Sequence, residues 1–193
     1  MVIAAAANYA ATHIGRQIHW REVLDHVRGH VTEQELLDHI GRVKHHLELG
    51  SLPEMLAAEM GLTRGVTGYI NNTVPIALFC WLRYLGDYRE SVTQAIRLGG
   101  DADTVGAITG ALAGITVGRS GIPQEWIDGL AEWPRGIRWM EALADRLSRQ
   151  FPINGEGELV GPQALFWPGQ LLRNLLFAII VIVHGFRRLL PPY

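Results

Sequence analysis

The residues best suited to chemistry sit in one stretch, Leu98–Gly114, which reads LGGDADTVGAITGALAG. Asp101 and Asp103 stand one residue apart, with the Thr104 hydroxyl directly after them and Gly99 and Gly100 directly before. A carboxylate at a helix start accepts from unpaired backbone N–H groups and suits the positive end of the dipole, but one is enough for that task. Two carboxylates and a hydroxyl exceed what capping requires, and unpaired they repel each other and resist burial. A calcium loop begins in the same way, yet Val105 and Leu112 occupy its fifth and twelfth places, where oxygen ligands belong. A third use remains: Asp101, Asp103 and Thr104 converge their hard oxygens on a small divalent cation such as Mg²⁺ or Mn²⁺. Gly99 and Gly100 would let the backbone turn sharply there and let a ligand come close.

Behind the aspartates, Gly106, Gly110, Gly114 and Gly118 recur every four residues. Each costs about 0.8–1 kcal/mol of helix stability relative to alanine, so the set costs roughly 3–4 kcal/mol. Close backbone packing against a neighbouring helix is the expected compensation. A membrane G-x-x-x-G face has the same spacing, but Thr109 and Thr116 interrupt it and the segment is too short to span.

Other reactive residues carry less. Six of the eight histidines lie between His19 and His46. His26 and His30 have the i, i+4 spacing of a zinc helix but lack the glutamate of H-E-x-x-H, and His45 and His46 point differently on a helix. A solvated, partly helix-capping set of histidines is the expectation. The six tryptophans, Trp126, Trp133 and Trp139 among them, fall at amphipathic positions and are expected to pack in a core.

The elements that must position the aspartates read as helices. Thr32-Glu33-Gln34-Glu35 is a capping box opening a helix with Leu36, Leu37, Ile40, Val43 and Leu47 at helical spacing, which stops near Gly50. Ser51-Leu52-Pro53-Glu54 starts another, closed by Gly61, and Asp87-Tyr88-Arg89-Glu90 a third, running into Gly99-Gly100. Thr73-Val74-Pro75 predicts the start of a central helix, apolar nearly all round through TVPIALFCWLRYL. IPQEWIDGL and GIRWMEALADRLSRQ read as two amphipathic helices, and FPINGEGELVGP as the loop before an apolar C-terminal helix at about 165–190. No period-2 strand pattern occurs. The fold expected is all-α, one domain over residues 1–193.

Composition agrees with that class: 193 residues, 48% hydrophobic and 19% charged, enough chain for a sizeable core. A net charge of −2 gives no basic field, and nucleic acid is excluded as a partner. The lone Cys80 lies in an apolar run, which rules out an internal disulfide and suits a reducing, cytoplasmic setting. The small apolar N-terminus lacks a positively charged start and reads as a packed helix, not a signal peptide. Near the other end the uncharged stretch Leu175–Val183 is nine residues, about 14 Å of helix, against roughly 30 Å for a bilayer core. A buried or interface-lying helix is therefore favoured over a membrane anchor.

LGGDADTVGAITGALAG, followed by Gly118 and IPQEW and preceded by GYINNTVPIALFCWLRYLGDYRESVTQAIRLGG, resembles the C-terminal signature of the ADP-ribosylglycohydrolases. The resemblance implies an orthogonal multi-helix all-α domain and a binuclear magnesium or manganese site that holds ADP-ribose beside a scissile glycosidic bond. It makes Asp101, Asp103 and Thr104 metal ligands, puts Gly99 and Gly100 on the ribose side, and places Tyr69 where an aromatic contacts the nucleotide. The family's N-terminal half, with its catalytic glutamate, Thr-Asp-Asp-Thr motif and Gly-rich phosphate loop, has no counterpart here. The chain thus reads as a C-terminal portion contributing half of a metal site, with its catalytic residue unassigned. Its partners would be ADP-ribose or an ADP-ribosylated protein or small molecule, and a missing first half or self-association would cover its exposed faces. The alternative is a non-catalytic remnant or interaction module, with membrane contact through the tail.

Overall fold

The computed structural model describes residues 1–153 and 155–189. Asn154, inside the expected loop, and Leu190, at the end of the expected C-terminal helix, lie outside the described residues. Among the described residues the fold is all-α, with one isolated parallel bridge between Val66 and Gly100 and no strand. The chain divides into two compact units, Met1–Pro123 and Gln124–Tyr193.

In the first unit α1 (Val2–Thr12), α2 (Trp20–Arg28), α3 (Gln34–Leu49), α4 (Pro53–Glu59), α5 (Ile70–Arg83), α6 (Tyr88–Arg97) and α7 (Ala102–Val117) follow one another through short loops. The N-terminal segment is the packed helix expected of it, with Ala6 and Ala10 wholly buried. At the centre lies α5, in contact with α3, α4, α6 and α7. Every residue from Thr73 to Leu82 is buried, as an all-round apolar sequence requires. Cys80 is among them, and burial pushes its thiol pKa far up, so it behaves as an inert apolar group.

α5 begins three residues before the predicted Thr73-Val74-Pro75 start, which leaves Pro75 inside the helix. The added turn is held by side chains: Thr73 Oγ1 donates to the Thr67 carbonyl at 2.9 Å and Asn72 Nδ2 to Thr67 Oγ1 at 2.8 Å. These bonds offset the backbone bond that proline lacks. A second difference concerns the capping box. α3 starts at Gln34 with no side-chain cap bond, because Glu35 is drawn away to Tyr69 and Asn71. At α6, by contrast, Asp87 Oδ1 does cap, accepting from the Glu90 amide at 2.9 Å.

α7 packs on α6 through its glycines. A methyl group at Gly106 would lie 3.0 Å from Ile96 Cγ1, and one at Gly110 would lie 3.1 Å from the Tyr88 hydroxyl. Gly118 has left the stripe: it follows the helix at φ +68° and ends it. At Gly114 an added Cβ would rest 3.8 Å from Tyr88 Cε2, an ordinary contact. Gly114→Ala should therefore stabilise the chain by up to about 1 kcal/mol through helix propensity. Gly110→Ala should gain less, since the phenol must shift first. Urea-unfolding midpoints of the two variants check the order.

The histidines are less solvated than expected. His39 and His46 are buried, and His46 Nε2 meets Glu59 Oε2 at 2.7 Å. His13 and His30 do sit at helix ends, each with Nδ1 against the carbonyl four residues earlier.

The second unit holds α8 (Gln124–Asp128), α9 (Ile137–Gln150) and α10 (Trp167–Leu189). It has scarcely a core: α8 and α9 bury no residue and α10 buries only Gly169. Trp133, expected in a core, is 51% exposed and meets Phe166 edge-on. Trp139 Nε1 donates to the Ala164 carbonyl at 2.9 Å, and Arg146 reaches the Gly161 and Pro162 carbonyls. The unit is tied by polar contacts to loops more than by apolar burial.

Candidate functional site

The start of α7 is fixed by a backbone clasp. The Val66 amide donates to the Gly99 carbonyl at 3.1 Å, and the Asp101 amide donates to the Val66 carbonyl at 2.7 Å. The two segments of this clasp approach so closely that no side chain fits between them. A Cβ on Gly65 (φ +108°) would lie 2.5 Å from the Gly100 nitrogen, and one on Gly100 (φ +74°) 2.1 Å from the Val66 carbonyl oxygen. Gly65 gives no signal in sequence, because its partner lies 35 positions away. Gly99 and Gly100 thus face Val66 across the clasp and shape the turn that delivers Asp101.

Asp101 occupies the N-cap position of α7 yet makes no side-chain capping bond. Its Oδ1 accepts from the Thr104 hydroxyl at 2.8 Å, while Asp103 Oδ1 accepts from the Thr104 amide at 2.9 Å. Gly68 stands over the other side: a Cβ there would be 3.2 Å from Asp101 Oδ2, so its absence keeps that oxygen clear. The Asp103 carboxyl is held below the usual carboxylate range by a hydrogen bond shared with Asp101 and by the amides of Thr104 and Asp103. Two carboxylates and a hydroxyl are therefore gathered at an exposed helix start. Among the described residues no group of three His, Cys, Asp or Glu side chains assembles. His26 and His30, with ring centroids 4.8 Å apart, do not recruit a third ligand.

Beside this start opens a pocket of about 560 Å³, lined by Thr104, Ile108, Gly68 and Asn71 and by residues of α1 and α3. Thr104 joins the carboxylate pair to the pocket. Tyr69, half exposed at the start of α5, turns its hydroxyl to donate to Glu35 Oε2 at 2.7 Å. That bond raises the phenol's pKa and lowers that of Glu35. Asn71, 1% exposed, donates through Nδ2 to Glu33 Oε1 at 2.8 Å and Glu35 Oε2 at 2.6 Å. Its buried Oδ1 has no partner. This Glu33–Glu35–Asn71 cluster was missed in the sequence, where both glutamates read as helix-start residues and Asn71 was given no role.

Comparison with known proteins gives the site its context. The ADP-ribosylglycohydrolase family profile matches residues 1–156, from α1 through α9. The ADP-ribosylarginine hydrolase Tri1 of Serratia proteamaculans is 37% identical over 78 residues, 40% of this chain and 21% of that protein. The ADP-ribosylhydrolase ARH3 of Mus musculus is 29% identical over 108 residues, 51% of this chain and 27% of that protein. The ADP-ribosyl-[dinitrogen reductase] glycohydrolase of Rhodospirillum rubrum is 36% identical over 64 residues, 33% and 21% of the two chains. The chain spans between a fifth and little more than a quarter of the length of these relatives. No solved structure matches it. With more than three quarters of its length inside the family profile, the chain belongs to the ADP-ribosylglycohydrolase family.

Proposed function

We propose that this chain supplies an Asp-x-Asp-Thr metal half-site for hydrolysis of the glycosidic bond between ADP-ribose and a modified protein or small molecule. The observation that carries the reading is the clasp: backbone contacts among Gly65, Val66, Gly99 and Gly100 deliver Asp101 to the start of α7, where its Oδ1 accepts from the hydroxyl of Thr104, which itself lines the pocket.

The donor set suits Mg²⁺ or Mn²⁺. Both ions prefer oxygen donors, and Mg²⁺ is commonly held by one or two carboxylates while it keeps several waters. Asp101, Asp103 and Thr104 would hold the ion, and the cleared side of Asp101 leaves room for it. Bound there, the cation would act as a Lewis acid toward ribose oxygens and make bound water more acidic. The chain's own residues would bind and orient. Thr104 would present its hydroxyl at the pocket mouth, and Ile108, Leu36 and Val74 would form an apolar wall. Asn71 would hold Glu33 and Glu35 in place, with its open Oδ1 available to a ligand donor. The remaining ligands of a binuclear centre would come from a separate segment or polypeptide.

Calorimetric titration of ADP-ribose with and without Mn²⁺ tests the reading. Binding should require the metal and weaken by at least about 10–100-fold in Asp101→Ala/Asp103→Ala. Asp103 is exposed and Asp101 half-buried, so circular dichroism should show the helices retained. Metal-independent binding, or none by a folded chain, would overturn the half-site. A second reading, a non-catalytic interaction module, is favoured by the scarcity of buried residues in α8–α10 and would then stand in its place.

A further inference from the structure

α10 lies beyond the residues matched by the family. It is a 23-residue helix whose most apolar 18-residue window has a mean hydropathy of 1.6 and is only 6% buried. Leu172, Leu175, Leu176, Ile179, Val183 and Phe186 recur at i, i+3, i+4 and i+7 spacing, so they share one side of the helix. Each is between 49% and 64% exposed. The other side carries Gln170, Arg173, Asn174, His184 and Arg188, interrupted midway by Phe177, Ile180 and Val181, and Arg187 flanks the apolar side. No aspartate or glutamate occurs anywhere in the helix. Arg173 is answered by Glu132 at 2.9 Å, and Arg187 and Arg188 end the helix as a basic pair.

We propose that α10 lies in the plane of an anionic lipid surface, with its apolar side below the headgroups and Arg187 and Arg188 at phosphate level. Charge picks the occupant: an apolar side backed by a cationic one without carboxylates complements negatively charged lipid. Segregation of the polar residues picks the orientation. Twenty-three residues reach about 34 Å, enough to cross a bilayer, but a crossing would bury Arg173, Asn174 and His184 in hydrocarbon. The unbroken apolar core Leu175–Val183 covers only about 14 Å of the roughly 30 Å required. Lying flat, the same residues stay hydrated.

Co-sedimentation of the full chain with phosphatidylcholine vesicles, with and without phosphatidylserine, tests this. The chain should pellet with the serine-containing vesicles and be released by high salt. Arg187→Glu/Arg188→Glu should weaken partitioning by roughly thirtyfold or more. Leu175→Glu/Ile179→Glu should abolish it with helical content unchanged, since both positions are exposed. Equal pelleting with both vesicle types, resistant to salt and to alkaline extraction, would mean a spanning helix and overturn the proposal. So would a chain that pellets with neither, whether it sediments as a monomer or as a dimer broken by Leu175→Glu/Ile179→Glu. Asp101→Ala/Asp103→Ala should pellet like the unaltered chain, so the outcome stands apart from that of the metal half-site.

Discussion

Gly100→Ala should lose about 3–4 kcal/mol of folding stability, a large share of the roughly 5–15 kcal/mol that holds a domain together. Two sources add up. An alanine at φ +74° pays about 1–2 kcal/mol for a left-handed conformation. Its Cβ, 2.1 Å from the Val66 carbonyl oxygen, also forces the clasp apart and breaks the Val66–Gly99 and Asp101–Val66 bonds, each worth about 1 kcal/mol. Gly99→Ala is the control. Its φ is nearly the same, +71°, but nothing stands within 4 Å of its added Cβ, so about 1–2 kcal/mol is expected. Urea unfolding of both variants separates the causes. Equal losses would show that backbone conformation alone matters and that the clasp adds nothing. A difference of about 2 kcal/mol would show that the close approach is what holds Asp101 in place, and metal binding should then fall in Gly100→Ala while surviving in Gly99→Ala.

The clasp also marks where sequence reasoning reaches its limit. Asp101, Asp103 and Thr104 are legible because their chemistry is concentrated in four consecutive positions, and a run of glycines behind them admits few explanations. Helices are legible from apolar spacing, and α5 reads as central because no face of it is polar. What depends on contacts across the chain is not legible. Gly65 looks like any loop glycine until Gly100 is seen against it. Glu35 fits a capping box locally, yet a hydroxyl and an amide from the start of α5, 34 and 36 positions away, are stronger claimants. The α5 start is misplaced because proline at a first turn is the common case, and the Thr67 bonds that secure an earlier turn cannot be seen in a linear reading. For α10 the composition is plain, but only the structure shows that its apolar side is left uncovered within its own unit. In each case the local preference is real and a longer-range interaction of about 1 kcal/mol or more decides against it.

Trp81→Ala should be the other variant with a severe effect, costing about 3–5 kcal/mol. Trp81 is the largest fully buried side chain, in the last turn of α5, and its indole N–H donates to Thr116 Oγ1 on α7 at 3.0 Å. It therefore links the helix that begins beside Tyr69 and Asn71 to the helix that begins with Asp101–Thr104. Two milder variants divide the effect. Trp81→Phe keeps most of the ring and leaves the Thr116 hydroxyl donating to the Leu112 and Ala113 carbonyls, so about 1–2 kcal/mol is expected. Thr116→Val keeps the volume but strands a buried indole N–H, at about 1–3 kcal/mol, because an unmade bond costs more than a made one returns. If packing dominates, urea unfolding will rank Trp81→Ala far below both. If instead Thr116→Val approaches Trp81→Ala, the hydrogen bond between α5 and α7 is the main tie. The distinction bears on the site, since α5 and α7 each deliver one side of the pocket. A Trp81→Phe chain that stays folded yet binds Mn²⁺ and ADP-ribose more weakly would show that the relative setting of those two helices tunes the half-site.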